Sequence, residues 1–168
     1  LSSKDCDLTS YQQTYDCFQI HQPDYVIHCA ANVGGIAYDA KHPIEVFEDN
    51  MKIGMNIVKG VALHNVKYLI NIMPNCIYPG ELDKYKEEKL WDGDVHNSIK
   101  VYGFPRKMME IACFSYQKKY NFKAIHLVLP NLYGPGDHFD PIKSHALGGL
   151  ISKIAKAKIL LLKEVEIW

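Results

Sequence analysis

No GxGxxG run occurs anywhere in the 168 residues, so the glycine-rich phosphate cradle of many dinucleotide-binding proteins is missing from this stretch of chain. No CxxC pair occurs either. The five cysteines (Cys6, Cys17, Cys29, Cys76 and Cys113) are odd in number and scattered, which disfavours a disulfide framework or a zinc site and suits a reducing, cytoplasmic setting. There is no apolar run of transmembrane length, so no membrane partner is expected. Charge of neither sign is in excess: 19 Lys and Arg face 19 Asp and Glu, which argues against a general nucleic-acid binder. Lys153, Lys156 and Lys158 accordingly read as the solvated face of a helix. Internal repeats and low-complexity tracts are also lacking.

What remains is the composition of a globular domain, 48% hydrophobic and 23% charged, long enough to bury a substantial core. Leu1 is not an initiator methionine, and Glu164 to Trp168 reads as a strand that stops without a turn, so the expectation is a piece of a longer protein.

Helix and strand signals alternate along the chain. Thr9 and Gln12 have capping-box spacing, with Tyr11, Tyr15 and Phe18 following at helical intervals until His21-Gln22-Pro23-Asp24 ends the helix. Tyr25 to Ala31 is a near-continuous apolar run, which predicts a strand covered on both faces. Pro43 stands at a first helical position, and Ile44, Phe47, Met51, Met55, Val58 and Ala62 form one apolar stripe behind it. Tyr68 to Ile72 predicts a second strand. Tyr78 to Ser98 is a polar surface excursion with turn signals at Pro79-Gly80 and Asp92-Gly93. Met109, Cys113, Tyr116 and Tyr120 mark a further helix, Lys123 to Leu129 a third strand, and Asn131 to Asp140 a Gly/Pro loop. Leu147, Leu150, Ile151 and Ile154 share one face of a last helix.

This alternation predicts an α/β fold, a Rossmann-like doubly wound parallel sheet, with ligands bound beyond the carboxyl ends of the strands. That rule nominates Ala30 to Gly35, Met73 to Tyr78 and Leu129 to Asp137. Small residues at Ala30, Ala31, Gly34 and Gly35 allow a ligand to approach the backbone, although a tight turn explains them equally well. Tyr102 is followed one helical turn later by Arg106, a spacing at which a cation favours the ionised phenol for acid–base work. Lys107 falls one position too late to share that face. Cys76 and His145 are a thiol and an imidazole that could exchange protons with carbons beside a ketone, if they meet.

Taken together, Lys4-Asp5-Cys6-Asp7-Leu8-Thr9, His28-Cys29-Ala30-Ala31-Asn32-Val33-Gly34-Gly35-Ile36, Cys76-Ile77-Tyr78-Pro79, Asn131-Leu132-Tyr133-Gly134-Pro135-Gly136-Asp137 and Ser144-His145 resemble the GDP-L-fucose synthases, extended short-chain dehydrogenase/reductases, collinearly from Leu1 to about Lys158. The resemblance implies an NADPH-dependent epimerase/reductase of a GDP-4-keto-6-deoxyhexose, with NAD as the alternative cofactor. Cys76 would be the epimerisation base and His145 its acid partner, and Tyr102 the proton donor in reduction. Asp7, Leu8, Ala30, Ala31 and Gly34 would line the cofactor, and Asn131 and Lys153 would contact the nucleotide sugar. Two departures stand out. Pro74 occupies the position of the family's catalytic serine, leaving neighbouring Asn75 as the substitute donor, and Arg106 replaces the helical lysine.

On the same basis, residues 1–168 are one partial NAD(P)-binding domain, with 132–168 reaching into the substrate-binding part. The first strand and most of the C-terminal substrate domain lie outside it. A homodimer through the helices that start near Pro43 and Tyr102 is expected. The alternatives are another extended short-chain nucleotide-sugar epimerase or dehydratase, and a catalytically impaired nucleotide-sugar binding protein.

Overall fold

Three parallel strands organise the chain in the order β1-β2-β3: β1 (Tyr25–His28), β2 (Tyr68–Pro74) and β3 (Lys123–Leu129). The computed structural model describes residues 2–140 and 143–167. Among the described residues, five α-helices connect and flank the strands: α1 (Tyr11–His21), α2 (Ile36–Lys41), α3 (Pro43–Leu63), α4 (Lys100–Gln117) and α5 (Ala146–Ile159).

Local chemistry sets most of the boundaries. Ser10 caps α1 by accepting from the Gln13 N–H, so the capping signal lies one residue later than the Thr9–Gln12 spacing suggested. Thr9 instead donates its hydroxyl to Asp7 Oδ1. Gln22, at φ 41°, turns the chain out of α1 just before Pro23. Pro43 opens α3, where its missing N–H costs nothing. Tyr120 falls beyond the end of α4, and α2 has no counterpart in the sequence reading. Glu164 to Ile167 form no strand, and Trp168 lies outside the described residues.

The register places His28, Asn71 and His126 in one row across the sheet, with Val26, Leu69 and Ala124 in another on the same face. The main core packs on this face: Phe18 from α1, Ile57, Val58 and Val61 from α3, Leu69 from β2, and Met109 and Cys113 from α4. The opposite face is open. Ile27 is 64% exposed, and Tyr25, Ile125 and Leu127 are exposed with it, so among the described residues the helices do not cover both faces as the apolar run at β1 had suggested. β1 also ends at His28, and Cys29 to Ala31 run on as loop.

Two helices bury only part of the face expected. In α3, Val58 and Ala62 of the expected stripe are buried, but the rest of the buried side carries Val46, Asn50, Ile53, Asn56, Ile57 and Val61, whereas Ile44 and Phe47 are exposed and Met51 and Met55 half-buried. In α5 only Gly148, Gly149 and Ala157 are buried, leaving Leu147, Ile151 and Ile154 exposed. The excursion from Tyr78 to Ser98 is anchored by buried Tyr78 and Val95, with a Pro79–Val95 bridge closing it.

Gly60 sits on α3 against the ring of Phe18, where an added Cβ would overlap the ring atoms. Gly60→Ala would gain about 1 kcal/mol of helix propensity, but overpacking of a buried ring costs about 1–3 kcal/mol. A net loss of stability is expected in urea denaturation; an increase would show that Phe18 can move aside.

Candidate functional site

All three strands deliver their carboxyl ends to one edge of the sheet. The loop after β1 is held by α3: Asn50 Oδ1 accepts from the Asn32 N–H (3.2 Å), while Asn50 Nδ2 donates to the Asn32 carbonyl (2.8 Å). Asn32 Nδ2 also donates to Asp49 Oδ2 at 2.9 Å. Two turns further along α3, Asn56 Nδ2 donates to the carbonyls of Leu8 (2.9 Å) and Thr9 (3.2 Å), fixing the loop that carries Asp7 and Leu8. Sequence reading passed over Asn50 and Asn56. Their signal was two amides set among the apolar residues of one long helix, a costly arrangement unless the amides bond to backbone.

The two loops border a cleft of about 650 Å³. Asp7, Leu8, Ala30 and Ala31 all line it, together with Phe18, Val26 and Ile57. Asp7 accepts from the Thr9 N–H and hydroxyl, which hold its carboxyl below the usual range. Gly34 does not line the cleft. A Cβ there would lie 2.6 Å from the Tyr38 ring, so this glycine makes room for Tyr38, whose hydroxyl donates to Asn32 Oδ1 at 3.2 Å.

Arg106 is buried at the end of the same cleft wall. Its Nη1 donates to the Ala30 carbonyl and to His28 Nε2, both at 3.1 Å, and its Nη2 donates to the Ile72 carbonyl. The guanidinium therefore joins the ends of β1 and β2. It forces His28 to be a neutral acceptor: burial first, then the Arg106 charge, pull that imidazole down to about 3. Lys107, on the neighbouring face of α4, turns away to the Trp91 ring, 4.5 Å from its centroid.

Tyr102 lies one turn before Arg106 and is half-buried. Burial raises its phenol pKa, the charges of Cys76 and Asp39 raise it further, and Arg106 only partly opposes them. The net direction is upward, so burial outweighs the pull of Arg106 on the phenol. Gly103 lets α4 come close to the turn Asn75–Ile77, because a Cβ there would meet Val95 at 2.6 Å and the Cys76 carbonyl at 3.2 Å. Cys76, half-buried in that turn, is pushed up to about 11 by burial and then by Asp39, against a smaller pull from Arg106. Asn75 is half-buried beside it.

His145 occupies the cap position before α5 and interacts electrostatically with Asp39. Asp39 was not singled out from sequence, yet it is the group whose charge reaches Cys76, Tyr102 and His145 alike. Asn131 and Lys153 are not drawn into this set. Asn131 is exposed after β3, and Lys153 Nζ donates to the Glu166 carbonyl at 3.0 Å. Among the described residues, no cluster of three metal-ligating side chains occurs, and no helix is long and apolar enough to cross a membrane.

A parallel sheet with a cleft and a Tyr–Arg helix at its carboxyl edge defines a Rossmann-like α/β scaffold. The family model for the NAD dependent epimerase/dehydratase family matches residues 2–168, and the chain belongs to that family. It is 30% identical to the GDP-L-fucose synthase of Dictyostelium discoideum over 154 residues, 91% of this chain and 48% of that protein. The solved GDP-L-fucose synthetase of Naegleria fowleri bound to NADP superposes with a TM-score of 0.87 at 30% identity, over 95% of this chain and 50% of that one. A GDP-6-OMe-4-keto-L-xylo-heptose reductase from Campylobacter jejuni gives a TM-score of 0.87 at 32% identity, over 95% and 46%. The chain thus spans about half the length of the relatives it matches.

The His28–Arg106 contact makes a testable demand on pH. A buried imidazole held at about 3 stays neutral while the unfolded chain takes up its proton near 6.5, so its contribution to stability is present above 6.5 and lost as pH falls towards 3. His28→Gln keeps an acceptor for Arg106 without the titration. Its urea midpoint is expected to fall less steeply than that of the parent between pH 6.5 and 4; identical slopes would show that His28 is not held neutral.

Proposed function

We propose that this chain carries the reaction centre of an NADP(H)-dependent enzyme that epimerises, and to a lesser degree reduces, a GDP-linked 4-keto sugar. What supports the reading is that Cys76, Tyr102 and His145, from three separate elements, each lie within electrostatic reach of Asp39. Asp7, Leu8, Ala30 and Ala31 fit the adenosine half of a dinucleotide: a cleft of small and apolar side chains with a carboxylate at its rim. When bound, NADPH would supply hydride to the ketone.

Carbons next to a ketone lose protons readily because the charge passes to the carbonyl oxygen. Cys76 would take such a proton from one face of the sugar and His145 would return one to the other, inverting the centre. Burial keeps Cys76 as a thiol at rest, so it must pass on its own proton before it can act. Tyr102, held as a phenol, is suited to give its proton to the ketone oxygen during reduction.

Reduction is the weaker half on physical grounds. Pro74 offers the ketone neither a hydroxyl nor an N–H. Arg106 has two of its nitrogens committed to backbone carbonyls and to His28, which leaves it less free than a lysine to assist a cofactor or Tyr102. Asn75 would be the replacement donor.

The substrate test is proton NMR of the intact protein with GDP-4-keto-6-deoxy-mannose in D2O and NADPH. Deuterium is expected beside the ketone faster than the ketone disappears. Ketone loss without deuterium entry would make it a simple reductase of the heptose-reductase kind, and no change in folded protein would favour a binding role.

A homodimer through α3 and α4 completes the proposal. Phe47 (44% exposed), Met51, Met55, Met108 and Ile111 form an apolar surface along both helices. Phe47→Glu is expected to shift sedimentation from dimer to monomer; an unchanged dimer would place the interface elsewhere.

A further inference from the structure

The cleft wall carries two thiols that the proposed sugar chemistry does not use. Cys6, in the loop before α1, and Cys17, on α1, both line the cleft with Asp7 and Leu8, and both are free. Hydrogen bonds lay that loop along the helix. The Asp7 N–H donates to Gln13 Oε1 at 3.0 Å, and Thr14 Oγ1 donates to the Leu8 carbonyl at 3.4 Å. Cys6 Sγ donates to the Gln13 carbonyl at 3.5 Å. Within α1 the same carbonyl receives the N–H of Cys17, four residues on, so one oxygen fixes the Cys6 sulfur against the helical turn that carries Cys17. The Cys17 thiol stands within hydrogen-bonding reach of Cys6, and burial, then this neighbour, push the Cys6 thiol up to about 11. A cysteine is often no more than a small apolar core residue. That account serves Cys6, which is 6% exposed, but not Cys17, which is half-exposed at the cleft surface.

We propose that Cys6 and Cys17 form a reversible dithiol site, which small disulfides of the oxidised-glutathione class convert to a Cys6–Cys17 bond. The site stands independently of the sugar chemistry above. Half-exposed Cys17 reacts first: its thiolate attacks one sulfur of the small disulfide, that S–S bond breaks, and one small thiol leaves. Cys6 then gives up its proton and attacks the Cys17 sulfur. The mixed S–S bond breaks and the second small thiol leaves. The two protein sulfurs have lost two electrons and two protons, and the two small thiols have gained them. The reverse exchange restores both cysteines, as it does for the transient disulfides of reducing compartments. No CxxC spacing announces this pair, because it is the turn of the chain at Ser10 that folds the loop back onto the helix. Asp7, Leu8 and Thr9 fall inside the ring that the bond closes and line the same cleft, so oxidation ties the cleft rim to α1.

The measurement is peptide mapping by mass spectrometry of the intact, folded protein after incubation with oxidised glutathione and alkylation of the remaining thiols. A Cys6–Cys17 linked peptide is expected, formed roughly ten-fold or more faster than any adduct at Cys76 or Cys113 and removed by dithiothreitol. Cys6→Ser should stop the reaction at a glutathione adduct on Cys17, and Cys17→Ser should leave Cys6 unmodified. A parent that keeps a stable glutathione adduct on Cys17 overturns the proposal. So does a link from either cysteine to Cys29, or a Cys6–Cys17 link that forms only in urea. If Cys6→Ser does not fold, the parent's own map and Cys17→Ser decide between these outcomes.

Discussion

The guanidinium of Arg106 is the fixed point of this structure. It reaches from α4 under the sheet and holds the ends of two parallel strands through the carbonyls of Ala30 and Ile72. Those carbonyls stand where the pairing of β1 with β2 gives out, so Arg106 supplies donors to half-buried acceptors beyond that ladder. The same fork makes His28 an acceptor and keeps it neutral. The loop after β1, the end of β2 and the Tyr102 helix thus share one anchor. A lysine, with a single nitrogen on a flexible stem, cannot span those acceptors. The exchange of lysine for arginine exchanges a freer cation for a structural clamp.

A second layer of support comes from α3. Asn50 and Asn56 each give up helix-surface packing to bond loop backbone, and each secures one of the two loops that border the cleft. Amides suit this task because they satisfy both backbone N–H and C=O groups without adding charge beside a cofactor. The cleft is consequently shaped by rigid helix positions although its lining residues lie in loops, which is the arrangement that binding sites need to be both accessible and precise.

Much of this was legible in the sequence where the signal is local. Alternation of helix and strand gave the parallel α/β order, Pro43 and Pro23 marked helix boundaries, and β3 runs from Lys123 to Leu129 as its composition suggests. The inward face of α3 was legible only at Val58 and Ala62, because that helix carries two apolar stripes. One contains Val46, Ile53, Ile57 and Val61, interrupted by the two asparagines; the other, uninterrupted from Ile44 to Met55, is the cleaner pattern and lies outward. Periodicity identifies an apolar stripe but not what it meets. In the site, Asp7, Leu8, Ala30 and Ala31 do share one cleft, and Cys76, Tyr102 and His145 do share one electrostatic neighbour. The open side of Gly34 is filled by Tyr38, four residues away, a packing reason that the sequence did not display, and Asp39 was missed because nothing in Ala37-Tyr38-Asp39-Ala40 distinguishes a buried acid from a solvated one.

The surroundings of Tyr102 and position 74 bear on why epimerisation and reduction would part company under the proposed function. Reduction needs a hydrogen-bond donor at the ketone and a phenol eased towards proton release. Pro74 removes the donor, while burial and the nearby acid make Tyr102 hold its proton more tightly. Under the proposed function, epimerisation would need a general acid on one face and a base on the other, roles that would fall to His145 and Cys76. The loss of the donor at Pro74 and the commitment of Arg106 to backbone carbonyls and His28 would then press the chemistry in the same direction, towards proton exchange beside the ketone and away from hydride transfer to it.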